Sequence, residues 1–435
     1  MIAYINNTIR MAKYREYKRL NLPEIDKEIL AYWEKENIFE KSISQRPEDN
    51  TYVFYEGPPS ANGKPGIHHV MARTVKDLFC RFHTMKGQRV ERKGGWDTHG
   101  LPIELNVEKT LGITKEDIGT KITVEDYNQA CRTTVMQFKD QWDDITKKMG
   151  YWVDLENPYI TFDNNYIESV WWLLGQLYKK DLLYKGYTVQ PYSPAAGTGL
   201  SSHELNMPGC YKDIKDLSVT AQFEVINDSS SSFLFEGHPN KVYFLAWTTT
   251  PWTLPSNCAV ALGAKIEYSL VQTFNAYTKE PITVILATDL IKKYFKEEGV
   301  EIELSDYDPS GKLIPWKVIQ TMKGAKLEGI HYHQLMSYVQ PESGDAFRAI
   351  LGDFVSTEDG TGIVHTASVF GSDDYRVCMQ NNVPSILVRR GKEMLPLVDA
   401  QGKFVEEVTD FGGDYVRAEY YSEEEREQSI QGREV

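Results

Sequence analysis

A run of small residues, Gly57-Pro58-Pro59-Ser60-Ala61-Asn62-Gly63-Lys64-Pro65-Gly66, leads directly into Ile67-His68-His69. Small residues let a backbone approach a ligand closely, and a helix beginning here offers unpaired N–H groups and a positive dipole end to an anion. Two adjacent imidazoles add donors for phosphate oxygens whose charge shifts during a displacement at phosphorus. The chemistry suggested is phosphate binding with electrostatic stabilisation. The same pair also suits two capping histidines on an exposed turn.

A second cluster, Gly94-Gly95-Trp96-Asp97-Thr98-His99-Gly100-Leu101-Pro102-Ile103-Glu104, places an acid and an imidazole on a loop. Asp97 suits a substrate ammonium, although a loop Asp taken by itself more often bonds its own backbone. Two further stretches lie far down the chain. Trp247-Thr248-Thr249-Thr250-Pro251-Trp252-Thr253 supplies three consecutive hydroxyls, and residues 360–375 bring His365 and Asp374. Together they have the ingredients of a hydrolytic pocket, able to fix a sugar hydroxyl and an amino group, but without a convincing nucleophile. Singly, the threonines are ordinary strand residues.

These residues need elements to hold them. TYVFY at 51–55 is β-branched and aromatic and ends in the Gly/Pro loop, so it reads as a strand. Met71, Val75, Leu78, Phe82 and Met85 then recur at helical spacing up to Gly87. Residues 89–92, with a turn at Gly94-Gly95, read as a second strand. Cys131, Val135, Phe138, Trp142, Ile145 and Met149 predict one long helix, with Thr123 and Asp126 as its capping pair and Gly150 as its stop. Another helix carries Ile167, Trp171, Leu174 and Tyr178, with Trp171 and Trp172 expected in the core, and residues 187–192 read as a third strand.

Alternation of strands and helices over 50–195 argues for the first half of a doubly wound parallel nucleotide-binding sheet of Rossmann type. Beyond residue 200 short β-rich runs at 218–225, 242–248, 282–287 and 347–351 predict a separate, mostly β domain. The expected division is a helical leader at 1–50, with Ile25, Ile29, Tyr32 and Trp33 on one helix face, a half-sheet at 51–199, and the β domain at 200–435. An acidic stretch at 422–428 reads as solvated.

Composition narrows the class. At 435 residues, two or three domains are expected, and 41% hydrophobic with 25% charged residues excludes collagen-like and disordered chains. Five scattered cysteines without a CxxC pair argue against a disulfide framework or a thiolate zinc site, so no metal site is expected from this chain. The longest apolar stretch, near 171–177, falls far short of the roughly 20 residues of a membrane span, and Arg10, Lys13, Arg15, Lys18 and Arg19 precede no signal core. A soluble, cytoplasmic protein with no membrane partner is expected. The net charge of −14 supplies no global field for nucleic acid, so any RNA contact must be local.

In order and in spacing, YEGPPSANG (55–63), GGWDTHGLPIE (94–104), WTTTPWTLPSN (247–257) and GTGIVHTA with DDY (360–367, 373–375) resemble the N-terminal part of an isoleucyl-tRNA synthetase, a class I aminoacyl-tRNA synthetase. GWDTHGLPIE after GPPSANG favours the isoleucyl enzyme over its valyl and leucyl relatives. The resemblance implies activation of isoleucine by ATP, bound with Mg2+, and transfer to tRNA(Ile). It also implies hydrolytic editing of valyl-tRNA in the inserted β domain. It assigns ATP binding to Gly57, Pro58, Asn62, Gly63, Gly66, His68 and His69, with the two histidines catalytic. Isoleucine falls to Pro58, Pro59 and Asp97, and editing to Thr248, Thr249, Thr250, His365 and Asp374, the last as the amino-group anchor.

Two departures qualify the match. The family's HxGH reads Gly66-Ile67-His68-His69, a swap similar to that of a bacterial subgroup related to the eukaryote-like branch and associated with tolerance of mupirocin; His68 is expected to replace the missing donor. The usual HTAP reads His365-Thr366-Ala367-Ser368. No KMSKS-like loop and no anticodon-binding region occurs in the 435 residues, so this chain alone is not expected to form the adenylate. Competing readings are a stand-alone editing deacylase and a non-catalytic module that binds tRNA or nucleotide.

Overall fold

The computed structural model describes residues 18–54 and 56–422. The first 17 residues of the leader, Tyr55 of the first motif and residues 423–428 of the acidic stretch lie outside the described residues. The chain divides into two compact units, residues 1–185 and 186–435.

In the first unit, helices α1 (Leu22–Lys35) and α2 (Ile38–Ser44) form the described part of the leader. Of the expected apolar face, Trp33 meets the Trp152 ring edge-on at 5.1 Å and is covered by Arg81, while Ile29 and Tyr32 stay exposed. The expected strand at 51–55 contributes a single parallel bridge, Thr51 to Arg89, closed by Tyr52 N–H donating to Arg89 O at 2.9 Å. Helix α3 (Ile67–Met85) forms as expected, but with its faces reversed. Met71, Val75, Leu78, Phe82 and Met85 are exposed, and the buried residues are Arg73, Cys80 and Thr84.

The second strand, β1 (Lys93–Trp96), lies later than 89–92, and Gly94-Gly95 are part of it rather than a turn. The partner explains the glycines. Strand β2 (Asp154–Ile160), which carries Pro158, runs parallel to β1 with an irregular register. A Cβ on Gly94 would stand 2.6 Å from Asp154 O, and one on Gly95 2.3 Å from the Tyr159 ring.

Helix α4 (Leu101–Leu111) follows β1. The single long helix expected up to residue 149 is two, α5 (Val124–Val135) and α6 (Lys139–Lys148). Thr123 does cap the first, accepting from Asp126 N–H at 3.0 Å. The break has a tertiary cause, since Phe138 N–H donates to Ala61 O at 3.0 Å, outside any helical ladder. Helix α7 (Asn164–Lys179) buries none of its residues, and Trp171 and Trp172 are 70% and 64% exposed, contrary to the core expected for them.

Unit 2 opens where a third parallel strand was expected. Instead, Tyr192–Ser193 (β3) and Thr198–Gly199 (β4) form a small antiparallel hairpin, because a turn held by Gly197 N–H to Pro194 O follows at once. After the short helix α8 (Ser202–Leu205) come β5 (Val219–Glu224), β6 (Lys241–Thr248), β7 (Ala259–Leu262), β8 (Glu267–Phe274), β9 (Pro281–Ala287), a helical turn α9 (Ile291–Tyr294), β10 (Lys317–Lys323), β11 (Arg348–Leu351), β12 (Ile363–Thr366) and α10 (Ser372–Gln380). A hairpin of Val388–Arg390 and Glu393–Leu395 follows. All four β runs expected from the sequence are strands of one eight-stranded sheet, ordered β10-β8-β9-β6-β12-β7-β11 with β5 beside β6.

Alternation within the strands builds cores on both faces. Leu270, Ile285 and Leu262 join Phe223 and Phe244 on one face, and Val271, Val284 and Leu286 pack on the other. Strand β7 presents Ala259 and Ala261 to Val377 and Cys378 of α10, which lets that helix sit close to the sheet. Strand β6 is forked: β5 takes one edge, while the other is shared by β9 along Lys241–Phe244 and by β12 at Trp247.

The close approach in β1 is testable. Tyr159 cannot swing aside freely because its hydroxyl donates to Glu56 O at 2.8 Å. Gly95→Ala is therefore expected to lose about 1–3 kcal/mol in urea unfolding, the cost of overpacking. Gly63→Ala, where a Cβ meets nothing within 4 Å, should change stability by no more than about 0.5 kcal/mol.

Candidate functional site

In unit 1 the Gly/Pro loop has little regular structure of its own and is held by its neighbours. Ala61 is buried between Trp96 and Trp142, its carbonyl takes Phe138 N–H, and Gly63 O takes the Trp142 indole N–H at 2.8 Å. Gly57 O accepts from Lys76, whose ammonium also pairs with the buried Glu56 carboxylate. Asp97 N–H donates to Pro59 O at 3.0 Å, which joins the second motif to the first and leaves the Asp97 side chain exposed. Pro58, Pro59 and Asn62 are half-buried, whereas Gly57 and Gly63 are open.

At the start of α3, Gly66 N–H donates to His69 Nδ1 at 2.8 Å. A nitrogen that accepts carries no proton, so His69 is the Nε2–H tautomer and offers that N–H as a donor. Burial first, then neighbouring His68 and Arg73, lower its pKa and keep it neutral. The exposed His68 ring lies 3.8 Å from that of His69 and folds back over Gly66. A Cβ at position 66 would come within 2.9 Å of His68 Cε1, so the imidazole at 68 occupies space that a side chain at 66 needs. The structure therefore brings Gly57, Pro58, Pro59, Asn62, Gly63, Gly66, His68, His69 and Asp97 onto one loop, one helix start and the strand end tied to them.

In unit 2, Thr248, Thr249, Thr250, His365 and Asp374 line one cavity of about 480 Å3. It opens at the end of β6, beside the fork, and residues 360–362 form part of its wall. There Thr361 Oγ1 donates to Leu245 O, and Gly362, at φ +73°, packs so closely on Ala287 that a Cβ would sit 2.4 Å away. Thr248 Oγ1 accepts from Thr250 N–H at 3.0 Å, so its hydroxyl shapes the turn, while Thr249 is exposed. Asp374, in the first turn of α10, accepts from Ala367 N–H at 2.9 Å. Ser368, at the place of the family's proline, bonds Ser385 at 2.8 Å and holds the loop by its side chain instead.

His365 is buried, and both ring nitrogens are engaged, Nε2 with Thr253 Oγ1 at 2.9 Å and Nδ1 with Asn257 Nδ2 at 2.7 Å. Thr253 and Asn257 were not singled out from the sequence, although both lie in the WTTTPWTLPSN motif. Also missed were the acidic rim of Glu358 and Asp359, and Trp252, whose indole N–H is buried on the cavity wall with no partner among the described residues. An orphaned donor there is available to a ligand or a water.

Burial pushes Asp374 up to about 6, against the pull of Ala367 N–H, and lowers His365 to about 4. The two act oppositely on stability. A raised acid lets the native state keep a proton that the unfolded state has lost, so its contribution falls as pH rises from about 4 to 6. A lowered histidine contributes fully above about 6.5 and loses that contribution as pH falls towards 4. Asp374→Asn removes the first slope and keeps the second. Its urea midpoint should fall more steeply than the parent's between pH 7 and pH 5.

The family model described as tRNA synthetases class I (I, L, M and V) matches residues 28–310. An isoleucine–tRNA ligase of Cytophaga hutchinsonii is 61% identical over 417 residues, covering 95% of this chain and 37% of that protein. One of Bacteroides fragilis is 58% identical, covering 90% and 34%, and one of Treponema denticola 40%, covering 92% and 36%. The chain thus spans about a third of the length of these curated relatives. With the family model covering well over half of its residues, the chain belongs to the class I tRNA synthetases of the isoleucine, leucine, methionine and valine group.

Proposed function

We propose that the chain carries the first half of the activation site and the editing pocket of an isoleucine–tRNA ligase, acting on isoleucine, ATP and tRNA(Ile) in the cytoplasm. No helix among the described residues is long and apolar enough to cross a membrane. The observation that carries the reading is the cavity that gathers Thr248, Thr249, Thr250, His365 and Asp374 from two stretches of chain more than a hundred residues apart.

In activation, the α3 N-terminus and the open backbone at Gly57 and Gly63 receive the phosphates of ATP, which brings magnesium as its own complex. His69 donates from Nε2, and His68, folded over Gly66, supplies the second donor as charge shifts at phosphorus. Asp97 holds the substrate ammonium beside Pro58 and Pro59.

A second pocket follows from magnitudes. One methylene separates isoleucine from valine and is worth only about 1–3 kcal/mol, a figure established on isoleucyl enzymes themselves and not obtained from this structure. The threonine pocket removes valine by letting water attack the ester carbonyl while the Asp374 carboxylate anchors the ammonium. His365, with both nitrogens engaged, is the wall of this pocket and not its base.

Deacylation assays with this chain test the reading. Valyl-tRNA should be hydrolysed and isoleucyl-tRNA spared, and kcat/KM should fall as pH drops through about 6, where Asp374 takes a proton. Asp374→Asn should lower kcat/KM about 10- to 100-fold at pH 7.5, the loss of a charge-assisted contact, and abolish that acidic limb. Equal hydrolysis of both esters, or an acidic limb unchanged in the variant, would refute it.

A further inference from the structure

Unit 2 holds a second cavity, of about 600 Å3, that none of the sequence motifs reaches. It lies over the sheet face that carries Val271 and Leu286. Leu245 of β6 with Ile282 and Val284 of β9 form its floor, and all three are buried. The rings of Phe274, Tyr294 and Phe295 stand around that floor. Two of them are backed by further rings, Phe274 by a stacked Tyr307 at 4.0 Å and Phe295 by Trp316 at 5.5 Å, so the wall is preformed.

The polar side chains of the cavity are largely spent on the protein. Asn275 Nδ2 donates to Gln222 Oε1 at 3.1 Å, and Asn275 Oδ1 accepts from the N–H groups of Tyr277 and Thr278 at 2.8 and 3.0 Å. Thr273 Oγ1 donates to Pro315 O at 2.9 Å, and the Tyr294 hydroxyl pairs with Thr220. Few acceptors are left to read the edge of a base or the hydroxyls of a sugar. The groups still free can all donate: Gln222 Nε2, the Ser218 hydroxyl, and the ammonium groups of Lys296 and Lys312.

The charge is one-sided as well. No Asp or Glu lines this cavity, although the chain carries a net charge of −14. Neither lysine has a carboxylate within ion-pair distance among the described residues. The root of Lys296 is fixed, since its carbonyl accepts from Gly299 N–H at 3.0 Å and from the Trp316 indole N–H at 2.8 Å. The threonine cavity is the reverse, with Glu358, Asp359 and Asp374 on its wall.

We infer that this second cavity binds a small organic anion with an apolar body, an aryl or alkyl carboxylate. The body lies on the floor among the rings, and the carboxylate meets Lys296 and Lys312. Nothing in this depends on what the threonine pocket does.

The test uses the 435-residue chain with 13C-labelled Ile, Leu and Val methyl groups. Signals of Leu245, Ile282 and Val284 are identified by their loss in Leu245→Met, Ile282→Val and Val284→Ile. The probe is 2-naphthoate, with 2-naphthamide as its uncharged counterpart. The acid should shift these methyl signals saturably and bind about ten-fold more tightly than the amide, and added salt should weaken only the acid. Lys296→Gln combined with Lys312→Gln should lower the affinity for the acid about ten-fold and leave the amide within about two-fold. Both lysines are exposed, so the exchange leaves the core intact. The inference is overturned by the absence of a saturable shift, by shifts that bypass these three residues, by equal affinity for acid and amide, or by an unchanged affinity in the double variant.

Discussion

The divided edge of β6 is the constraint on which unit 2 depends. A strand inside a sheet ordinarily satisfies its backbone against one neighbour on each side. Here one side is taken by β5, and the other passes from β9 to β12 between Phe244 and Trp247. At the gap, Leu245 O is satisfied by a side chain, Thr361 Oγ1, and Ala287 N–H at the end of β9 is satisfied by Thr361 O at 2.8 Å. The Gly-Thr-Gly segment is thus a plug in a fork, and the positive φ of Gly360 and Gly362 is what lets it fit. Where the strands part, a cavity opens, and the hydroxyl-rich turn after β6 is its natural lining.

The Gly/Pro loop of unit 1 solves the opposite problem. On the proposed reading it has to stay open to ATP, so its backbone cannot be consumed in a sheet. Its carbonyls at Gly57, Pro59, Ala61 and Gly63 are instead taken by donors from α3, the loop after β1, the break before α6, and α6 itself. That arrangement satisfies the acceptors and leaves the loop's N–H side available to an anion. It also accounts for the interruption between α5 and α6, since Phe138 cannot both continue a helical ladder and donate to Ala61.

This division decides what could be read in the sequence. The strands of unit 2 were legible because their alternation is enforced by two buried faces, as Leu270 against Val271 and Ile285 against Val284 show. Thr123 was legible as a cap because capping is local. The break at Phe138 was not, because its cause lies 77 residues away at Ala61. β2 was hidden by Pro158, and Gly94-Gly95 read as a turn because only the partner strand shows why no side chain fits. The stripe on α3 was read correctly as a stripe, but periodicity does not say which face is covered. The site residues grouped as their motifs suggested, whereas Thr253 and Asn257 were passed over because nothing local to them shows that each meets a His365 nitrogen more than a hundred residues away.

The two buried-side histidines show how the same device yields different chemistry. In each, an N–H donor directed at Nδ1, from the Gly66 backbone in one case and from the Asn257 side chain in the other, places the proton on Nε2. Each ring is kept neutral by burial, since a second proton on Nδ1 would face that donor. The difference lies at the far nitrogen. His365 Nε2–H is committed to Thr253, so the ring has no proton to give. His69 Nε2–H has no partner among the described residues and stands beside a helix start and an open glycine loop, so on the proposed reading a ligand oxygen would complete it. Protonation state alone does not separate the two roles; what separates them is whether the protein or the ligand supplies the last acceptor.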